Sequence, residues 1–109
     1  MREPTFWILT ALASAPCHGW ALIREAGRLS DGRVKLQTGT LYAALDRLVD
    51  EGLVELDRQE IVDGRARRYY RLTDDGAFAL TEEATRLRAS ADAANAQLNA
   101  RGRFGLGPA

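Results

Sequence analysis

The sequence is poor in the residues that most often build chemistry into a small protein. Among its 109 residues there is one cysteine, Cys17, and one histidine, His18. A lone thiol cannot close a disulfide within the chain, and this pair cannot supply the four ligands of a structural zinc site. No metal and no other cofactor is expected. Catalysis needs a nucleophile, a base and an orienting partner brought together, and here the only thiol and the only imidazole are neighbours in one turn. The chain is therefore not expected to be an enzyme. Cysteine this scarce fits a cytoplasmic location. Long apolar runs are missing too: residues 6–17 are interrupted by Thr10, Ser14 and Pro16 and are too short to span a bilayer. Met1-Arg2-Glu3-Pro4 lacks the basic start of a signal peptide, so no membrane partner is expected. Lysine is nearly absent, Lys35 standing beside 14 arginines. A G+C-rich genome accounts for that bias without function, and guanidinium chemistry accounts for it with one. Net charge is missing as well, with 15 basic against 15 acidic side chains. Without a global field, any hold on a phosphate polymer must come from local charge segregation.

What is present is enough to fold. Hydrophobic residues make up 46% and charged residues 28%, ordinary values for one small globular domain, or at most two. Residues 5–15 are apolar almost all round and predict a core helix, with Pro4 at an early position where its missing N–H costs nothing. Pro16-Cys17-His18-Gly19 punctuates the pattern. A second helix is predicted over about residues 19–27, with Trp20, Ile23 and Ala26 at helical spacing, and Ser30-Asp31-Gly32 forms a loop. The third helix has Thr38 as candidate N-cap, a stripe of Leu41, Ala44, Leu45 and Leu48, and Gly52 just past its end. Its outer face begins with the small residues Thr38, Gly39, Thr40 and Ala43, which permit close approach to another surface.

After Gly52 the period shortens to two. Val54 and Leu56 alternate with Glu55 and Asp57, and Tyr70 and Leu72 alternate with Tyr69 and Arg71, so two short strands are predicted. Asp63-Gly64 between them is a hairpin-turn signal, because both central residues of a type I′ turn need positive φ. Thr73 is a good N-cap, and Asp74 and Asp75 suit the positive end of a final helix. Along that helix Ala77, Leu80, Ala84, Leu87, Ala91, Ala94 and Leu98 recur with gaps of 3, 4, 3, 4, 3 and 4, a heptad seam thin enough to bring two helices close. Gly102, Gly105, Gly107 and Pro108 predict fraying or disorder at the end. The expected fold is thus mainly α with a small β-hairpin: a winged helix-turn-helix in residues 1–72, a long C-terminal dimerisation helix in residues 73–101, and a tail in residues 102–109.

Charge is segregated along this order. Residues 58–71 hold five arginines (58, 65, 67, 68 and 71) against Glu60 and Asp63, a local balance of +3, and Arg33 and Lys35 precede the third helix. Residues 46–57 hold five acids against Arg47, and residues 74–83 hold four acids and no base. A helix-turn-helix lays its recognition helix in the major groove while the wing reaches phosphates beside it, and arginine's planar fork grips phosphate or guanine. An exposed hairpin that merely protects a sheet edge would use the same residues. A winged helix used only for protein contacts, with no DNA binding, is the alternative function.

Three motifs carry a resemblance. Gly39-Thr40-Leu41-Tyr42-Ala43-Ala44-Leu45-Asp46-Arg47-Leu48, continued by Glu51-Gly52-Leu53-Val54, resembles the recognition helix of the PadR family of bacterial transcriptional regulators. Residues 16–23 resemble that family's Pro-x-His-Gly-Tyr-x-Ile turn and second helix. Gly64-Arg65-Ala66-Arg67-Arg68-Tyr69-Tyr70-Arg71-Leu72-Thr73-Asp74-Asp75-Gly76 resembles its wing and the start of the following helix. The resemblance implies a homodimer joined by the C-terminal helices, a repressor of a palindromic promoter operator in double-stranded DNA, and release by a small aromatic effector. The assigned DNA-binding residues are Thr38, Thr40, Tyr42, Ala43 and Arg47, with Lys35 and Gln37 just before them and Arg65, Arg67 and Arg68 on the wing. The seven seam residues are assigned to dimerisation. Two departures stand out: Trp20 replaces the family's tyrosine, with an effect expected on packing only, and the last helix lacks the tryptophan with which some short members stack planar compounds. Trp7, Trp20 and Phe78 read first as core and second as the lining of an aromatic pocket. His18 reads as a cap or turn residue, and Cys17 as an unactivated thiol.

Overall fold

The computed structural model describes residues 1–103. Helix α1 spans Glu3–Leu12, with a proline in its first turn and Ile8, Leu9, Ala11 and Leu12 buried. It stops earlier than the apolar run suggests, because the residue before Pro16 is steered away from helical geometry and the chain must turn there. Strand β1 is only Cys17–His18. It pairs antiparallel with a later strand, Cys17 opposite Tyr70 and His18 opposite Tyr69, and two residues are too few to show a period in sequence.

Helix α2, Gly19–Leu29, is capped by His18, whose Nδ1 accepts the Ala21 N–H at 3.4 Å. Its buried residues are Gly19, Leu22 and Ala26. Trp20 lies roughly 130° around the helix from that face at 100° per residue, and it is exposed rather than core. Helix α3 spans Thr38–Asp50, with Leu41, Leu45 and Leu48 buried. Gln37, not Thr38, is the capping residue, and its side chain makes no capping hydrogen bond. The cause lies upstream: Val34 and Leu36 are both buried, which fixes an extended inward alternation before the helix starts.

Strands β2, Val54–Val62, and β3, Arg65–Leu72, are longer than their alternating segments predict. They join through Asp63 and Gly64, with φ of 52° and 75°, the two positive values a tight hairpin turn requires. The sheet order is β1-β3-β2, with an irregularity between Leu56 and Arg58. Helix α4 runs Asp74–Arg103, so Gly102 and Arg103 are helical, while residues 104–109 of the expected tail lie outside the described residues. The hydrophobic core joins α1, α2, α3 and the base of the sheet, with Ile8, Leu9, Leu22, Leu41, Leu45, Leu48 and Val54 fully enclosed. Helix α4 touches it through Leu80 and then projects, giving a molecule 68 Å in its longest dimension. Among the described residues no helix is long and apolar enough to cross a membrane.

Candidate nucleic-acid interface

The exposed end of α3 and the distal half of the hairpin face one another across an open groove. The groove has a volume of about 860 Å³ and is lined by His18, Gly19, Trp20, Tyr42, the hairpin turn and Arg65, Arg67 and Arg68. Beyond Tyr69 the β3 edge has no partner strand, since β1 ends at His18. The groove lies along that open edge.

The arginines of the hairpin fall into two sets. At its base, Arg71 binds Glu55 at 2.7 Å and Asp57 at 3.2 Å. Arg58 binds Asp57 and Glu60, each at 2.9 Å, and lies 3.8 Å above the Tyr69 ring. At the tip, cross-strand register sets Arg65 opposite Val62, Arg67 opposite Glu60 and Arg68 opposite Gln59. Glu60 is already held by Arg58, and Arg68 gains only a 3.4 Å contact with Gln59 Oε1. Among the described residues Arg65, Arg67 and Arg68 have no acidic partner within ion-pair distance. The tip, residues 63–68, thus keeps a charge of +2, three arginines against Asp63.

Lys35, Gln37, Thr38, Thr40 and Ala43 are exposed at the same end of α3, though only Tyr42 among the helix residues lines the groove. Tyr42 is held from below. A Cβ built on Gly19 would collide with its hydroxyl, so a side chain at position 19 would displace the ring. Arg47 points elsewhere: it bonds Glu51 at 2.9 Å and the Thr5 hydroxyl at 2.7 Å, on the α1 side. On the outer face farther along α3 stand Asp46 and Asp50, both exposed. That half of the helix repels phosphate, leaving the first turns as the approach.

Among the groove residues that sequence reading did not assign to DNA are His18 and Trp20. His18 sits edge-on to Tyr69, ring centroids 5.3 Å apart. Its pKa is lowered, first by burial and then by the positive fields of Arg67 and Arg24, so the neutral ring that caps α2 is the favoured form. The Cys17 thiol is pushed up, chiefly by burial and then by Glu25, the reverse of nucleophile activation. Both candidate reactive groups thus have structural employment or are suppressed.

The predicted seam stands apart from the groove. Leu80 is half-buried against the core, while Ala77, Ala84, Leu87, Ala91, Ala94 and Leu98 are exposed. Phe78, 67% exposed, lies on the opposite side of α4 and belongs neither to the core nor to an enclosed aromatic pocket. Trp7 lines a separate hollow, of about 370 Å³, with Phe6 and Leu87 where α1 meets α4.

Comparison with known proteins places this geometry among relatives. The family model described as the transcriptional regulator PadR-like family matches residues 8–82. The transcriptional regulator Rv3488 of Mycobacterium tuberculosis is 45% identical over 76 residues, covering 70% of this chain and 67% of that protein. A PadR family transcription regulator from Clostridium difficile superimposes with a TM-score of 0.72 at 24% identity, over 89% of this chain and 99% of the other. PadR of Bacillus subtilis, solved in complex with operator DNA, superimposes with a TM-score of 0.66 at 23% identity, over 74% of this chain and 47% of that one. The two structural likenesses bear on the fold alone.

Proposed function

The chain belongs to the PadR-like family of transcriptional regulators, and from that premise we propose that it acts as a homodimeric repressor of a palindromic promoter operator, released by a small aromatic compound. The observation that carries the DNA-binding part is the division of the hairpin arginines. Those at the base are neutralised within the chain, whereas Arg65, Arg67 and Arg68 border an open groove beside the small-residue start of α3. A hairpin built only to protect a sheet edge has no need to leave one end unpaired. Residues 1–72 form the reading head, with Lys35, Gln37, Thr38, Thr40, Tyr42 and Ala43 entering or flanking the major groove and Arg65, Arg67 and Arg68 gripping phosphates. Arg47 serves this role only by leaving Thr5 and Glu51.

Residues 73–101 form the dimerisation element. The seam faces the same side as Leu80 and continues past the head without cover, so a second copy of α4 is the partner that matches its period. The effector site we favour is the hollow at Phe6, Trp7 and Leu87, where the Phe6–Trp7 pair stands edge-to-face with centroids 5.0 Å apart. The chain works as a binding protein, not an enzyme.

The deciding experiment is a binding titration with duplex DNA from upstream of this protein's own gene, repeated with added phenolic and planar aromatic compounds. The reading expects tight binding that an unrelated duplex does not match, and weakening by at least one aromatic. Equal affinity for both duplexes removes the operator, and indifference to every aromatic removes the effector.

A further inference from the structure

Trp20 is 72% exposed, the highest value of any large apolar side chain described. Its helix already fills the core with Leu22 and Ala26, so the indole contributes nothing to the subunit's packing. It lines the groove instead. One turn along the same face, the Arg24 guanidinium stands 6.0 Å from the Trp20 ring centroid. Arg24 has no ion pair among the described residues, whereas Arg28, one turn farther, is bound to Glu25 at 2.7 Å. The groove is therefore lined by the unpaired Arg65, Arg67 and Arg68 against the single acid Asp63, and the unpaired Arg24 stands beside Trp20, which lines its α2 side. Arg67 and Arg24 act on the same imidazole, each depressing the His18 pKa after the larger effect of burial.

We infer that Trp20 and Arg24 form a second contact with the sugar–phosphate backbone of duplex DNA, the indole lying on deoxyribose and the guanidinium on the adjoining phosphate. The inference rests on the DNA-binding reading above and adds α2 to it. Charge selects the occupant: three unpaired cations lining the groove, with a fourth beside the indole on its α2 side, suit a polyanion. Geometry places it, because Asp46 and Asp50 bar a duplex from the far half of α3 and leave the side where α2 begins. Chemistry explains the residue, because an indole offers an apolar face to the sugar and an N–H to a phosphate oxygen.

The test uses a duplex of about 30 base pairs from upstream of the protein's own gene, long enough for two half-sites one helical turn apart. Trp7→Phe leaves Trp20 as the sole tryptophan, and its emission should change on titration with the duplex. Trp20→Ala should weaken binding about tenfold, the scale of one aromatic contact with nucleic acid, with the salt slope unchanged. Trp20→Phe should recover most of that loss. Arg24→Ala should flatten the slope of log affinity against log salt by roughly 0.9. The inference is overturned if Trp20 emission ignores the duplex and Trp20→Ala binds as wild type while Arg67→Ala still flattens the slope; the DNA-binding reading then stands. Absence of binding by the wild-type protein overturns both.

Discussion

Helices α3 and α4 each carry an apolar stripe, and the chain treats the two in opposite ways. On α3, Leu41, Leu45 and Leu48 are wholly enclosed by α1, α2 and the sheet. On α4, Leu80 reaches the core while Leu87 and Leu98 remain 41% and 60% exposed. The contrast teaches that an apolar period states a demand for a partner without saying where the partner is. One demand is met inside the subunit and the other is left open. The hairpin repeats the lesson in charge: Arg58 and Arg71 are satisfied at the base, and Arg65, Arg67 and Arg68 at the tip are not.

Four measurements can break or sharpen that contrast. Leu45→Ala empties a fully enclosed site and should lower stability by about 2–5 kcal/mol in denaturant melts without changing the assembly's mass. Leu87→Asp should do the reverse, leaving the head folded by circular dichroism while light scattering at micromolar concentration shows monomers. An unchanged dimer mass would remove Leu87 from the seam. For the arginines, Arg67→Ala or Arg68→Ala should each flatten the salt dependence of DNA binding by roughly 0.9 in log–log slope, and Arg58→Ala should leave it in place. Equal slopes for tip and base variants would erase the distinction between them. The smallest effect concerns His18. Its folded-state pKa is depressed, so the stability tied to the neutral ring is present above the ordinary histidine value of about 6.5 and is lost as pH falls through the lower folded value. Melting temperature should therefore drop on acidification below that range, and His18→Asn, which keeps a capping oxygen but does not titrate, should remove that part of the drop.

Much of this was legible where the signal is local. The stripe Leu41-Leu45-Leu48, the turn at Asp63-Gly64 and the cap at Thr73 each depend on residues within a few positions, and each appears in the structure. Thr73 Oγ1 accepts the Gly76 N–H at 3.0 Å, as the pattern predicts. The misses depend on distant partners. Strand β1 exists because Tyr69 and Tyr70 come alongside it. Thr38 loses the capping position because Val34 and Leu36 fix the chain's phase before the helix. Trp20 has a core residue's composition and spacing, yet Leu22 occupies the inward direction of α2. Counting charges over residues 58–71 gives the right sign and misses the division, because Arg71 is held from across the sheet by Glu55 and Asp57, which lie outside that window, while Arg58 takes its neighbours Asp57 and Glu60.

The junction at Thr73 has a mechanical consequence. Its N–H donates to the Leu53 carbonyl at 3.1 Å and its hydroxyl donates to the Gly52 carbonyl at 2.6 Å, while that same oxygen caps α4. One residue thus fastens the end of β3, the turn after α3 and the root of the longest helix, with no slack between them. The root of the shaft is pinned to the head at that point. In the proposed dimer that fastening ties the spacing of the two heads to the packing of the two shafts, so that choosing an operator becomes a gauging of length, and half-sites shifted by half a turn of duplex are expected to bind more weakly even with every base correct.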